Sequence, residues 1–150
     1  GAVGLVSGCD RAVAAEAAKF ALTEVKLGLI PATISPYVMR AIGERASRRY
    51  FTTAESFTAK EAYRLGLVSE VVDPEQLDVA VSALVDSLLA NGPEAVLAAK
   101  RLVTDLSGRL IDEALIEDTC ERIAGIRVSE EGQDGLGAFL NKRSPRWLNT

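Results

Sequence analysis

Apolar residues recur at spacings of three and four positions through most of the second half of the chain, a period that predicts amphipathic helices. One such segment starts after Pro74 and stops at Gly92, and Pro93 opens the next. Residues 110–123 give a third segment, which precedes a glycine-containing tail. The apolar positions of the first two segments are Leu77, Val81, Leu84, Val85, Leu88, Leu89, Ala95, Ala99, Leu102, Val103 and Leu106. This half is therefore predicted to form a layer of helices.

The first half consists of shorter apolar runs separated by turn residues. Residues 11–15 (RAVAA) and 19–23 (KFALT) favour two brief strands, with Glu24 at the exit of the second strand. Residues 1–8 are small and apolar, which is compatible either with a buried helix or with a glycine-rich turn. A charged residue at a strand exit is a candidate for a functional site in a layered α/β fold.

Capping signals predict two further helices. Ser35 followed by Pro36 has the form of an N-cap with proline at the first helical position, and this helix is expected to reach about Gly43. Residues 58–61 (TAKE) match a capping box, and Gly66 provides the stop of a short helix. Strands thus come early and helices late, which predicts the α/β class.

The composition of the chain changes near Phe57, where predicted mixed structure gives way to predicted helical structure. We therefore predict a mixed region over residues 1–56 and a helical region over residues 57–150. The chain has 150 residues, of which 48% are hydrophobic and 25% charged. These values are those of an ordinary globular protein that can bury one substantial core.

Composition excludes several classes of function. Seventeen Lys and Arg stand against 21 Asp and Glu, so the net charge is −4 and no basic field attracts nucleic acid. No apolar run reaches the roughly 20 residues needed to cross a bilayer, so no membrane partner is expected. Cys9 and Cys120 are far apart and histidine is absent, so the usual zinc and iron ligand sets cannot form. We expect no metal, a reducing cytoplasmic location, and proton transfer by carboxylate, lysine or tyrosine.

Five motifs in order along the whole chain resemble the crotonase, or enoyl-CoA hydratase/isomerase, superfamily. They are GAVGLVSGCD, FALTEVKLGLIP, TAKEAYRLGLVSEVV, NGPEAVLAAKRLV and AFLNKRSPRW. The resemblance implies the C-terminal half of a subunit, with residues 1–56 completing a spiral ββα core and residues 57–150 serving trimerisation and CoA capping. It also implies a homotrimer or dimer of trimers, an acyl-CoA thioester as substrate, and no other cofactor. The chain is then expected to be an incomplete subunit.

The resemblance assigns the chemistry to a few residues. Gly1, next to Ala2, matches the position whose backbone N–H stabilises the thioester oxygen of an enolate. Glu24 matches one of two catalytic glutamates and is implied to be the acid/base. Gly4 stands at the position of the other glutamate, which is a departure from the two-glutamate hydratases. Without the resemblance, the glycines would be explained by close packing and Glu24 by a solvated charge.

Further residues are implied to bind the substrate. Many relatives have a glycine-rich turn after Pro31, whereas this chain continues with Ala32 in the bulkier segment ATISP, which predicts a reshaped acyl pocket. Tyr37 and Arg40 are expected near that pocket, where Arg40 could pair with a second carboxylate of the substrate. Surface charge is the alternative explanation for Arg40.

Two positions near the C-terminus are implied to hold CoA. Phe139 matches a ring that packs near the adenine, and Lys142 matches a lysine that meets a CoA phosphate. The alternative is an ordinary cationic tail. Both residues lie in the segment AFLNKRSPRW.

Three functions remain open from the sequence. A hydratase would use Glu24 to activate water for addition to an enoyl thioester, and an isomerase would use it to move a proton from the α-carbon to the γ-carbon. The run LTEVKLGLIPATISPYV is similar to hydratases of glutaconyl-type thioesters, such as methylglutaconyl-CoA and isohexenylglutaconyl-CoA, which favours hydration. A non-catalytic crotonase-like scaffold is the third possibility, supported by Gly4.

Overall fold

The computed structural model describes residues 2–148, which form two compact units divided between Ser82 and Ala83. The strands are β1 (Val13–Ala15), β2 (Lys19–Phe20), β3 (Phe57–Thr58) and β4 (Glu70–Val72). The helices are α1 (Ala2–Gly8), α2 (Ser35–Thr53), α3 (Ala59–Leu65), α4 (Leu77–Leu89), α5 (Pro93–Leu106), α6 (Glu113–Val128) and α7 (Glu130–Leu140). Short 3-10 turns occupy Glu24–Leu27, Pro74–Gln76 and Arg146–Leu148.

Two small sheets organise the first unit. Strand β1 pairs in parallel with β4, and β2 pairs antiparallel with β3, so that Phe20 faces Phe57 across the second sheet. The rings of Phe20 and Phe57 stack with their centroids 5.6 Å apart, and the Tyr50 ring lies 4.3 Å from that of Phe57. Two short strands occur where they were predicted, but β2 covers only two residues of KFALT, so the predicted position of Glu24 at the strand exit is wrong and Glu24 instead begins a 3-10 turn.

Helix α2 is the platform of the first unit. Its side chains Val38 and Tyr50 are buried, and both α1 and the turn that begins at Glu24 pack against it. Val3 of α1 and Leu22, just before that turn, complete the same core. Each fully buried apolar side chain of this size stabilises the fold by about 1.5–3 kcal/mol. The core therefore fixes α1 and the Glu24 turn on a common support.

The start of α2 differs from the prediction. Ile34 is the N-cap residue and Ser35 already lies in the helix, where its hydroxyl donates to the Ala32 carbonyl instead of capping. The first helical segment ends at Gly43, as predicted, because the backbone there is not helical (φ 77°, ψ 162°). Glycine adopts a positive φ at little cost. A second segment follows directly and extends α2 to Thr53.

The short helix α3 follows the predicted capping signals in part. The Thr58 hydroxyl accepts a hydrogen bond from the Glu61 N–H (3.2 Å), and Gly66 ends the helix with a φ of 83°. The Glu61 carboxylate does not return to the Thr58 N–H as a capping box requires. It pairs with Arg64 and accepts from the Tyr50 hydroxyl, because these donors offer it stronger, charge-assisted contacts.

Residues 83–148 are helical and contain one helix more than expected, but the region predicted to be helical from residue 57 onward also holds β3 and β4, which belong to the first unit. Helix α6 begins at Glu113, three residues later than predicted, because the Asp112 carboxylate caps it by accepting from the Leu115 N–H (2.9 Å). The predicted glycine-containing tail forms α7, which starts at a Ser129 cap. No helix among residues 2–148 is long and apolar enough to span a bilayer. The assignment of residues 57–150 to trimerisation and CoA capping stays a prediction.

Candidate active site

Glu24 occupies the first position of a rigid turn. The turn ends at Gly28, whose φ of 73° requires the left-handed region, and the Gly28 N–H donates to the Val25 carbonyl (3.2 Å). The Leu29 N–H donates to the Glu24 carbonyl (3.1 Å), which closes the turn. The buried Leu22 anchors the chain just before it. The backbone of Glu24 is therefore held on both sides.

The carboxylate of Glu24 is the main chemical feature of this unit. Its Oε2 atom is buried and has no hydrogen-bond partner among residues 2–148. Buried polar atoms are nearly always paired, and an unpaired acceptor of this kind costs about 1–3 kcal/mol. A group kept in that state is available to accept a proton from a bound molecule, which is the requirement for a general base.

Ile34 fills the space beside Gly4. A Cβ atom placed on Gly4 would lie 3.0 Å from the Cβ of Ile34 and closer still to its Cγ2. Such separations do not occur between real side chains, so glycine is required at position 4 for as long as Ile34 is present. The space beside Gly4 is thus occupied by the side chain of Ile34, and the match of Gly4 to a second glutamate stays a prediction. Within the bulky segment after Pro31, the sequence did not single out Ile34.

The other predicted residues of the first unit lie around the same helices. Ala2 is exposed and begins α1, whereas Gly1, the predicted N–H donor to the thioester oxygen, lies outside the described residues. Pro31 is buried and Ala32 exposed in the segment that leads into α2. The predicted roles of these residues stay predictions.

Tyr37 and Arg40 project from one side of α2. They are three residues apart, a spacing that brings side chains together on a helix, and both are exposed, Tyr37 by 55%. Arg40 makes no hydrogen bond or ion pair within residues 2–148. The buried Val38 marks the opposite, core-facing side of the helix. Arg40 is thus a free cation on the helix that supports the Glu24 turn.

The two residues predicted to hold CoA form a group of their own in the second unit. Phe139 is 82% exposed in the last turn of α7. Lys142 has a φ of 52°, and its N–H donates to the Phe139 carbonyl (3.3 Å). An exposed aromatic ring and an exposed cation therefore leave the chain within a single turn. Over residues 2–148, no group of three or more metal-ligating side chains is brought together.

Comparison with known proteins identifies the family. The sequence model of the enoyl-CoA hydratase/isomerase family matches residues 1–150. The chain belongs to this family. A solved structure of an enoyl-CoA hydratase from Shewanella pealeana is 51% identical, superposes with a TM-score of 0.92, and covers 97% of this chain and 54% of that chain. The predicted α/β class and its crotonase-like fold are confirmed by this likeness.

Curated members of the family are more distant. An enoyl-CoA hydratase of Mycobacterium tuberculosis is 34% identical over 152 residues, which are 99% of this chain and 56% of the relative. The 2,3-dehydroadipyl-CoA hydratase of Escherichia coli is 31% identical over 139 residues, which are 91% of this chain and 54% of the relative. The chain thus spans about half the length of the enoyl-CoA hydratase/isomerase family members that it matches.

Proposed function

We propose that the protein is an enoyl-CoA hydratase in which Glu24 is the acid/base. Glu24 takes a proton from water while the water oxygen bonds to the β-carbon of the enoyl thioester. The electron pair of the double bond shifts toward the carbonyl and charge develops on the thioester oxygen, and Glu24 then returns its proton to the α-carbon of this enolate, which restores the Glu24 carboxylate. The observation that carries this proposal is the buried, unpaired Oε2 of Glu24. Hydratase names among the relatives support it.

We place the substrate among branched, glutaconyl-type thioesters, which carry a free carboxylate in addition to the thioester group. The free, exposed Arg40 supports this, because a guanidinium forms strong paired hydrogen bonds with a carboxylate. Tyr37 on the same side of α2 would contact the acyl chain. We expect no further cofactor, and a cytoplasmic location stays a prediction.

Assembly into a homotrimer or a dimer of trimers belongs to the same proposal. Helices of the second unit expose large apolar side chains, including Ile123 (64%) and Val128 (73%). Loop residues Leu110 and Ile111 are exposed by 82% and 88%. Apolar surface of this extent is ordinarily covered in the working protein.

Isomerisation of a 3-enoyl thioester is the second candidate, favoured by the contact between Gly4 and Ile34. Methyl groups at the place of a second glutamate neither hold nor orient a water molecule. An isomerase needs no water, since one carboxylate can remove the α-proton and return it at the γ-carbon. Glu24 alone could therefore serve this reaction.

The deciding experiment compares the two reactions in the full-length protein and its Glu24→Gln variant. Hydration removes the absorbance of a conjugated 2-enoyl thioester, whereas isomerisation of a 3-enoyl thioester creates it, so the signals have opposite signs. Replacement of Glu24 is expected to lower kcat for hydration by about 10²- to 10⁴-fold. Glu16→Gln, at an exposed carboxylate between β1 and β2, is the matched control and should leave kcat unchanged.

The outcomes of these assays distinguish the isomerase, the role of Glu24 and the non-catalytic scaffold. Conjugation gained from the 3-enoyl thioester without hydration of the 2-enoyl thioester would favour the isomerase. Turnover that survives Glu24→Gln would remove Glu24 from the mechanism. No activity toward either thioester would leave a non-catalytic scaffold.

A further inference from the structure

The turn after α7 contains three cations that are held in different ways. Arg143 donates to the Asp134 carboxylate (2.7 Å), and Arg146 donates to the Glu130 carboxylate (3.2 Å). Within residues 2–148, Lys142 makes no side-chain hydrogen bond or ion pair. Two of the three cations are therefore paired with carboxylates of the protein, and Lys142 is left for a ligand.

Asp134 is the centre of this arrangement. Only 7% of its side chain is exposed, and its two oxygens accept from the Arg143 guanidinium and from the Arg146 backbone N–H (2.8 Å). The Arg146 N–H first, and the Arg143 guanidinium second, hold the pKa of Asp134 below its ordinary value. The carboxylate thus stays charged at neutral pH and fastens the chain on the C-terminal side of Lys142.

The backbone of Lys142 needs such fastening. Its φ of 52° lies in the left-handed region, which is unfavourable for a residue with a side chain. Neighbouring hydrogen bonds hold it there: the Arg143 N–H donates to the Ala138 carbonyl (3.0 Å), next to the exposed Phe139. Strain of this kind persists only where surrounding contacts enforce it. Asp134 supplies the enforcing ion pair through Arg143.

We infer that Asp134 is a positioning residue for nucleotide binding, which holds Lys142 ready for a phosphate of the CoA moiety. The inference rests on the proposed function, since it requires a CoA thioester as ligand. A lysine whose backbone is held in place before binding loses less conformational entropy when the phosphate arrives than one on a mobile turn. Pairing of Arg143 (2.7 Å) and Arg146 (3.5 Å) with the Asp134 carboxylate also keeps these arginines from drawing the phosphate elsewhere.

The test uses the full-length protein and two thioesters with the same acyl group. One is the CoA thioester, and the other is the N-acetylcysteamine thioester, which lacks the nucleotide and its phosphates. Asp134→Asn is expected to raise KM for the CoA thioester at least about fivefold, to leave kcat within about twofold, and to leave KM for the short thioester unchanged. Lys142→Met should have the same effect, and the double variant should add little to it, because both act through one ammonium group.

Asp118→Asn is the matched control. Asp118 also bridges two arginines, accepting from Arg122 (2.8 Å) and Arg109 (2.7 Å), but it lies on α6. Loss of the Asp118 carboxylate should leave KM unchanged for the CoA thioester and for the N-acetylcysteamine thioester. If Asp134→Asn does not fold, Arg143→Met breaks the same ion pair and should give the same split. A KM change shared by both thioesters, or none for the CoA thioester, overturns the inference.

Failure of the proposed function would look different. The wild-type protein would then turn over neither thioester, while calorimetry with CoA itself could still compare wild type, Asp134→Asn and Asp118→Asn. Weaker CoA binding in Asp134→Asn alone would support the inference. Equal binding in all three proteins, or no binding, would overturn it.

Discussion

The two compact units differ in how they surround one carboxylate each, Glu24 in the first unit and Asp134 in the second. In the first unit, Oε2 of Glu24 is buried with no partner among residues 2–148. In the second, both oxygens of Asp134 are occupied by donors. A paired carboxylate holds a structure together, whereas an unpaired one weakens the fold and remains ready for a proton. The difference separates a group that acts on a ligand from one that positions its neighbours.

The largest expected effect on stability lies at Gly4, beside the apolar side chain of Ile34. Gly4→Ala introduces a Cβ that Ile34 cannot accommodate, and overpacking of this kind lowers the free energy of unfolding by about 1–3 kcal/mol. Urea unfolding of the full-length protein and its Gly4→Ala variant measures this loss in the free energy of unfolding. Gly8→Ala is the matched control in the same helix, since nothing lies within 4 Å of its Cβ position.

The double variant Gly4→Ala/Ile34→Ala tests the cause. The cost of Ala at position 4 should largely disappear when Ile34 is already truncated, because the two side chains no longer compete for one space. If the two substitutions are additive, Ile34 does not determine the residue at position 4, and the contrast between a packed second site and an open Glu24 fails.

The next largest effect on stability is expected when a glutamate is replaced by glutamine in the second unit, and the same replacement in the first unit provides the comparison. Glu131 accepts hydrogen bonds from the Glu94 N–H (3.0 Å) and the Ala95 N–H (2.8 Å) at the start of α5. Glu131→Gln replaces one acceptor with a donor and should lower the free energy of unfolding by about 1 kcal/mol, as for a lost helix cap. Glu24→Gln should leave stability nearly unchanged, because the buried Oε2 atom has no hydrogen bond to lose. Equal losses in both variants would show that Glu24 has a structural partner after all.

Much of the fold could be predicted from local signals. Helices α4 and α5 follow from apolar period and flanking turn residues, and the ends of α3 follow from Thr58 and Gly66. Helix α7 could not be predicted, because its glycines lower helix propensity. One of them, Gly135, lies where a Cβ would come within 2.9 Å of the Trp147 ring, so a tertiary contact selects the glycine and overrides propensity.

Less of the candidate site than of the fold could be predicted from local sequence signals. Lys142 and Phe139 were identified by resemblance alone, since no spacing or period marks them. Glu24 was indicated both by resemblance and by a strand exit, but the structure places it in a turn beyond the strand. The lack of a partner for Oε2 and the role of Asp134 depend on contacts between residues distant along the chain, such as Asp134 with Arg146. Twelve positions separate those two residues across a turn whose geometry no local pattern specifies.

The smallest expected effect concerns Glu61, a paired carboxylate in the same unit as Glu24. Hydrogen bonds from Arg64, and then from the Tyr50 hydroxyl, lower the pKa of Glu61 from 4.5 to about 2. A lowered pKa means that the folded state gains stability from the charged form above pH 4.5, and that this gain is lost as the pH falls toward about 2.

The melting temperature of the wild-type protein should therefore fall more steeply across this pH window than the melting temperature of Glu61→Gln. Glu44→Gln, at an exposed i,i+4 pair with Arg48, should keep the wild-type slope, since exposed pairs contribute little. Identical slopes in wild type and Glu61→Gln would mean that the Tyr50–Glu61–Arg64 contacts do not stabilise the fold, and the unpaired state of Glu24 would then no longer set it apart from the other carboxylates of its unit.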